Sequence, residues 1–85
     1  MAHSSAAYVY LLRCADGTLY CGWASDLDRR VREHQAGTAS RYTRSRLPVE
    51  LVWSKAAASR SEAMREEVRV KRLSRREKLR LLSQR

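Results

Sequence analysis

From Ala7 to Gly22 the chain alternates with a period of two, setting Tyr8, Tyr10, Leu12 and Cys14 on one side of an extended segment and Val9, Leu11 and Arg13 on the other. Ala15-Asp16-Gly17 then supplies an Asp-Gly turn, and Thr18 to Gly22 returns as a second strand. Because both faces of the first strand are largely apolar, the sheet it enters is expected to be covered on both sides.

After the hairpin the period lengthens. Ser25, with Asp28 three positions on, can cap a helix, and Gly37 offers a left-handed stop, which brackets a helix over residues 26–35. Its apolar stripe holds only Leu27 and Val31, and Arg30 and His34 lie three positions beyond each, bordering that stripe on one flank. The polar segment TASRYTRSR is read as a loop carrying Arg41, Arg44 and Arg46 around Tyr42. After Pro48, VELVWS alternates Val49, Leu51 and Trp53 against Glu50, Val52 and Ser54, the pattern of a third strand. Helical periodicity resumes at Ser61, with Ala63, Met64, Val68 and Val70 on one arc. Glu67 and Lys71 fall inside that arc, whereas Glu66 falls on its solvent edge. Ser74-Arg75-Arg76-Glu77 reads as a capping box opening a last helix with Leu79 and Leu82 inward. The predicted fold class is α/β (α+β): a small, three-stranded, mostly antiparallel sheet flanked by helices.

Length leaves room for one domain, residues 1–85, with residues 1–6 expected to be disordered. The formal charge is +9, and 15 of the 18 basic residues are arginine, whose planar fork suits phosphate oxygens. A polyanionic partner is the natural expectation. Residues 60–85 alone hold ten basic side chains against four acids. The apolar runs are too short for a signal peptide or a membrane span, so a cytoplasmic protein with no membrane partner is expected. Cys14 and Cys21 match neither a metal-ligand spacing nor a disulfide framework and are expected to be small, buried and reduced.

Taken singly, the residues able to do chemistry have ordinary readings. Strand tyrosines usually pack, a histidine near a helix end can simply complement the dipole, and Glu67 can pair with Lys71 across one turn. Their combination resembles the GIY-YIG nuclease superfamily over almost the whole chain. Tyr8-Val9-Tyr10 stands at the GIY element, with Tyr8 in place of its glycine, and Tyr20-Cys21-Gly22 stands at YIG. Residues 26–34, DLDRRVREH, resemble the family helix that carries an essential arginine, here Arg30, with His34 four residues on. GTASRYTRSRLPVELVW and EEVRVKRLSRREKLRLL resemble the small stand-alone UPF0213 branch, which is similar to the nuclease domain of structure-specific endonucleases.

The resemblance implies a GIY-YIG endonuclease fold and a metal-dependent endonuclease acting on DNA, single-stranded or branched. It implies Glu67 as the ligand of one Mg²⁺ or Mn²⁺, Arg30 as clamp on the scissile phosphate, and Tyr10 as the proton-handling group. Tyr20 would orient water or phosphate, and His34 would assist Tyr10. Arg41, Tyr42, Arg44, Arg46, Lys71 and Arg72 are expected to form the nucleic-acid track, Tyr42 offering an aromatic face to an unpaired base. DNA is expected over RNA, the chain as a monomer, and a protein partner could supply further specificity. The alternative is a non-catalytic nucleic-acid-binding or interaction module of a repair or RNA-associated complex. An inward carboxylate amid a basic surface argues against that alternative.

Overall fold

The structure is a computed structural model that describes residues 6–83, so the expectation of disorder over residues 1–6 falls, apart from Ala6, outside the described residues. The hairpin forms where alternation and turn chemistry locate it. Strand β1 (Ala7–Arg13) pairs antiparallel with β2 (Leu19–Ala24), setting Tyr10 opposite Gly22 and Leu12 opposite Tyr20. At the turn the Cys14 N–H donates to the Thr18 carbonyl at 2.9 Å. Strand β3 (Glu50–Ala57) joins the other side of β1, also antiparallel, so the order is β2-β1-β3 and β1 is central. Its alternation therefore feeds two cores. Ala7, Val9, Leu11 and Cys21 pack on one face, and Tyr10, Leu12, Cys14, Ala24 and Val49 on the other. Both cysteines are free and buried, in separate cores.

Helix α1 (Leu27–Gln35) lays Leu27 and Val31 on the Tyr10 core. Its cap is Asp26 rather than the expected Ser25; the Asp26 carboxylate accepts the Arg29 N–H at 3.1 Å, where a negative charge also suits the helix dipole. Gly37 ends the helix region at φ +80°, as expected. The segment read as a loop contains a helical turn, α2 (Arg41–Arg44), because the Ser40 hydroxyl accepts the Thr43 N–H at 3.1 Å.

The simple alternation expected of the third strand is broken. Leu11 faces Trp53 but Leu12 faces Leu51, so Val52 is the extra residue of a β-bulge. Val49 joins the Tyr10 core while Val52 and Trp53 pack on the opposite one. Helix α3 (Arg60–Lys71), capped by Ser59, starts one residue earlier than expected and covers the Val9–Leu11 face through Ala63 and Val70. Met64 and Val68, expected inward, are 50% and 45% exposed, because a three-stranded sheet covers only a narrow stripe of the helix. Helix α4 (Arg75–Leu82) has the predicted Ser74–Glu77 capping box, but Leu79 is exposed and Leu81 packs inward beside Leu82. Among the described residues no helix is long and apolar enough to cross a membrane.

Candidate active site

The site begins with a glycine. Tyr10 lies across the neighbouring strand with its ring over Gly22, where any Cβ would stand 2.5 Å from the Tyr10 hydroxyl and 2.7 Å from Cζ. Only the bare backbone of Gly22 lets the phenol reach across the strand. At the end of that reach, Tyr10 Oη lies 2.9 Å from His34 Nε2, and His34 Nδ1 lies 2.8 Å from Thr43 Oγ1. His34 and Thr43 are 1% and 0% exposed. Burial holds the imidazole below its ordinary pKa, and the nearby Arg30 charge works in the same direction, so His34 is neutral at pH 7. Burial first, and then neighbouring Tyr20, push the Tyr10 phenol well above its ordinary range, against the opposing pull of Arg30. Tyr10 is thus protonated at rest and hydrogen-bonded to a neutral imidazole.

Tyr20 meets the same imidazole edge-on, with ring centroids 5.2 Å apart. Tyr42 stacks on Tyr20 at 5.7 Å, and the Arg46 guanidinium carbon sits 3.8 Å over the Tyr42 ring. Arg46 in turn holds Asp16 of the hairpin turn at 3.0 Å and the Tyr42 carbonyl at 2.9 Å. Two neighbours thus contact the Tyr42 ring, which stays 37% exposed, and Tyr42 and Arg46 brace Tyr20 from the turn side.

Arg30 stands beside Tyr10 and His34 yet remains partly exposed, its Nε 3.1 Å from Glu33 Oε1. It lines an open depression of about 280 Å³ together with Ala24, Ser25, Asp26, Arg29 and Glu33. Exchanging Glu33 for a phosphate would cost Arg30 little, since such exposed pairs are weak.

The two adjacent carboxylates of α3 differ in direction rather than in depth. Both side chains are 18% exposed, so the expectation that only Glu67 points inward is corrected. Glu66 turns toward β3, where hydrogen bonds from Arg69 and Lys55 push its carboxyl down to about 2. Glu67 turns toward β2, where its peptide carbonyl accepts the Cys21 thiol at 3.9 Å and its carboxylate meets Lys71 at 3.3 Å. Burial, with the Glu67 charge second, pushes the Cys21 thiol up to about 11, so it stays an unreactive thiol. The fold gathers Tyr10, Tyr20, Arg30 and His34 on one face of the sheet. Glu67 meets the same edge strand from the other face, where its peptide carbonyl takes the Cys21 thiol. Arg41, Arg44, Lys71 and Arg72 are exposed. Thr43 was not singled out from the sequence; the one local signal was Ser40 three residues before it, the spacing of a helix cap.

The GIY-YIG catalytic domain model matches residues 6–80. A UPF0213 protein of Streptococcus agalactiae is 47% identical over 92% of this chain and 89% of its own length. One from Halobacterium salinarum is 51% identical over 84% of this chain and 92% of its own. The solution NMR structure of a UPF0213 protein from Bacillus halodurans is similar with TM-score 0.59 and 49% identity, covering 91% of this chain and 82% of that one. Matched in sequence and in fold, the chain belongs to the GIY-YIG family, among its UPF0213 proteins, and so to a nuclease-type domain that binds nucleic acid.

Proposed function

We propose that the protein is a metal-dependent endonuclease that hydrolyses phosphodiester bonds in DNA, with single-stranded or branched substrates preferred, and that it acts as a cytoplasmic monomer. The observation that carries this reading is the buried Tyr10–His34 hydrogen bond with the Arg30 guanidinium beside it at an open depression. A core needing only packing would have no use for that combination.

In this reading Arg30 releases Glu33 and clamps a phosphate oxygen through charge-assisted hydrogen bonds. Tyr20, braced by Tyr42 and Arg46, orients the attacking water. As the water oxygen bonds to phosphorus, its proton passes to Tyr10 Oη and the phenol's own proton passes to His34 Nε2. The raised pKa of Tyr10 favours this relay over a standing phenolate. The bond from phosphorus to the 3′ oxygen breaks, that oxygen takes a proton from solvent, and His34 returns its extra proton to solvent.

Among the described residues no group of three or more His, Cys, Asp or Glu side chains could hold a metal, so a protein cage is not the design. A single half-buried carboxylate with one ammonium neighbour suits a hard ion that keeps most of its waters, and Glu67 is that carboxylate. A bound Mg²⁺ or Mn²⁺ would supply positive charge opposite the negative charge growing on the phosphate and leaving oxygens. Arg41, Arg44, Lys71 and Arg72 provide the surrounding basic track.

The test is an assay on labelled single-stranded, duplex and branched DNA and their RNA counterparts, with Mg²⁺, with Mn²⁺ and with chelator. Cleavage of single-stranded or branched DNA that stops on chelation is the expected result. Binding without cleavage of any substrate would leave the non-catalytic module as the better reading.

A further inference from the structure

The buried polar side chains among the described residues are His34 and Thr43, and they are bonded to each other. Every buried side-chain nitrogen and oxygen there has a partner, so the protons in this cluster can be assigned by requirement. Thr43 Oγ1 has one proton and three polar neighbours: the Ser40 carbonyl at 3.4 Å, Ser40 Oγ at 2.9 Å and His34 Nδ1 at 2.8 Å. A carbonyl can only accept, but that of Ser40 already accepts the Arg44 N–H at 3.1 Å, so the direction is set from the other side of the ring: Arg30 beside Tyr10 can only donate, and the phenol proton has His34 Nε2 as its acceptor at 2.9 Å. Ser40 Oγ already accepts the Thr43 backbone N–H at 3.1 Å and has its own proton free for Thr43 Oγ1. The ring proton then sits on Nδ1, Thr43 Oγ1 takes it with a lone pair, and the Thr43 proton turns to Ser40. A neutral imidazole presenting Nδ1–H there must leave Nε2 bare, facing Tyr10 Oη at 2.9 Å.

We propose that Thr43 is a positioning residue that holds His34 in the Nδ1–H tautomer, so that Nε2 is always the acceptor for the Tyr10 proton. Its catalytic consequence rests on the nuclease reading above; the tautomer itself does not. The opposite tautomer would put a proton on Nε2, and Tyr10 would then receive a hydrogen bond instead of passing its own proton on. Helix α2 thereby reaches the site from its buried side: Thr43 sets the imidazole while Tyr42, one residue earlier, stacks on Tyr20.

The experiment compares the parent chain with Thr43→Val, which keeps the shape and removes the hydroxyl, and Thr43→Ser, which keeps the hydroxyl. Long-range ¹H–¹⁵N correlation at neutral pH reads the ring protons of His34, identified by comparison with His34→Gln. The parent and Thr43→Ser are expected to carry the proton on Nδ1. Thr43→Val is expected to move it to Nε2 and to lose about 100-fold in turnover, a loss at the lower end of what general acid–base groups contribute, with substrate binding kept. Since Arg30, Glu33, Tyr10 and Tyr20 face the ring in all three proteins, a changed pH–rate profile in Thr43→Val alone traces to the hydroxyl. An Nε2–H signal in the parent, or an unmoved proton in folded Thr43→Val, would overturn the proposal. The parent spectrum decides even if Thr43→Val fails to fold. Spectra as expected from a parent that cleaves nothing would reject the nuclease reading, and with it the catalytic role, while the tautomer assignment stood.

Discussion

At the scale of single residues, Tyr10 and His34 form one unit whose two members are both held neutral by burial. Removing only the phenol oxygen separates packing from proton transfer. Tyr10→Phe should fold and bind DNA as the parent does, yet lose about 10²-fold or more in rate. Tyr20→Phe should lose less, because that hydroxyl only orients; a melting curve beside each rate keeps lost stability from passing as lost chemistry. His34 also links stability to pH. Its pKa in the fold lies below the unfolded value of about 6.5, so its contribution is complete above that value and declines as pH falls below it, where the unfolded chain binds the proton more readily. The thermal midpoint of the parent should therefore drop from about pH 7 toward pH 5, and His34→Gln should flatten that drop. Glu66, paired with Arg69 and Lys55, acts in a separate window; its contribution falls only as pH drops from the ordinary carboxylate range toward about 2.

At the scale of elements, α2 and α3 carry the distinctions that matter. The stack of Asp16, Arg46, Tyr42 and Tyr20 ties the hairpin turn to the site. Arg46→Ala should consequently lower both the melting temperature and turnover, as the ring it steadies loosens. Arg44→Ala, at the exposed last residue of α2, should leave both nearly unchanged. Equal effects of the two substitutions on melting would argue against a bracing role. In α3, Glu67→Ala should abolish cleavage while binding stays intact or tightens slightly with the loss of a negative charge. Glu66→Ala should keep cleavage and melt at lower temperature, since it strands Lys55 and Arg69. Turnover surviving in Glu67→Ala would exclude it as the ion's ligand.

At the scale of the whole molecule, a net charge of +9 is spread over a domain whose principal extents are 39 × 28 × 21 Å. Charge at that density makes nucleic-acid affinity a matter of counterion release, so binding should weaken steeply with salt. Removal of a single phosphate contact, as in Arg44→Ala or Arg72→Ala, should reduce the slope of log affinity against log salt by about 1. Arg46→Ala should change that slope less, because its guanidinium is committed to Asp16 and Tyr42. Binding measured at three or more salt concentrations separates the two classes.

The elements themselves were legible in the chain because their causes are local. Alternation, the Asp-Gly turn, Gly37 and the Ser74–Glu77 box act between residues a few positions apart, and each reappears in the fold. Tyr10, Tyr20, Arg30 and His34, singled out through likeness to a family and without their reasons, are brought together by the fold as a candidate site. Gly22 was a motif letter until the register set it under the Tyr10 ring. What the chain alone left open depends on contacts between distant segments. The bulge at Val52 arises only when β3 meets β1 and must fill two different cores, so simple alternation misassigned Trp53. A helical wheel separates directions around an axis, but the side on which β2 or β3 lies is decided by how α3 docks. Glu66 and Glu67 therefore look like inside and outside in sequence, and prove equally buried toward opposite edges. Thr43, an unremarked residue of a polar stretch, acquires its role only where α2 closes over His34, because a buried imidazole needs a partner for each nitrogen and tertiary packing alone chooses it.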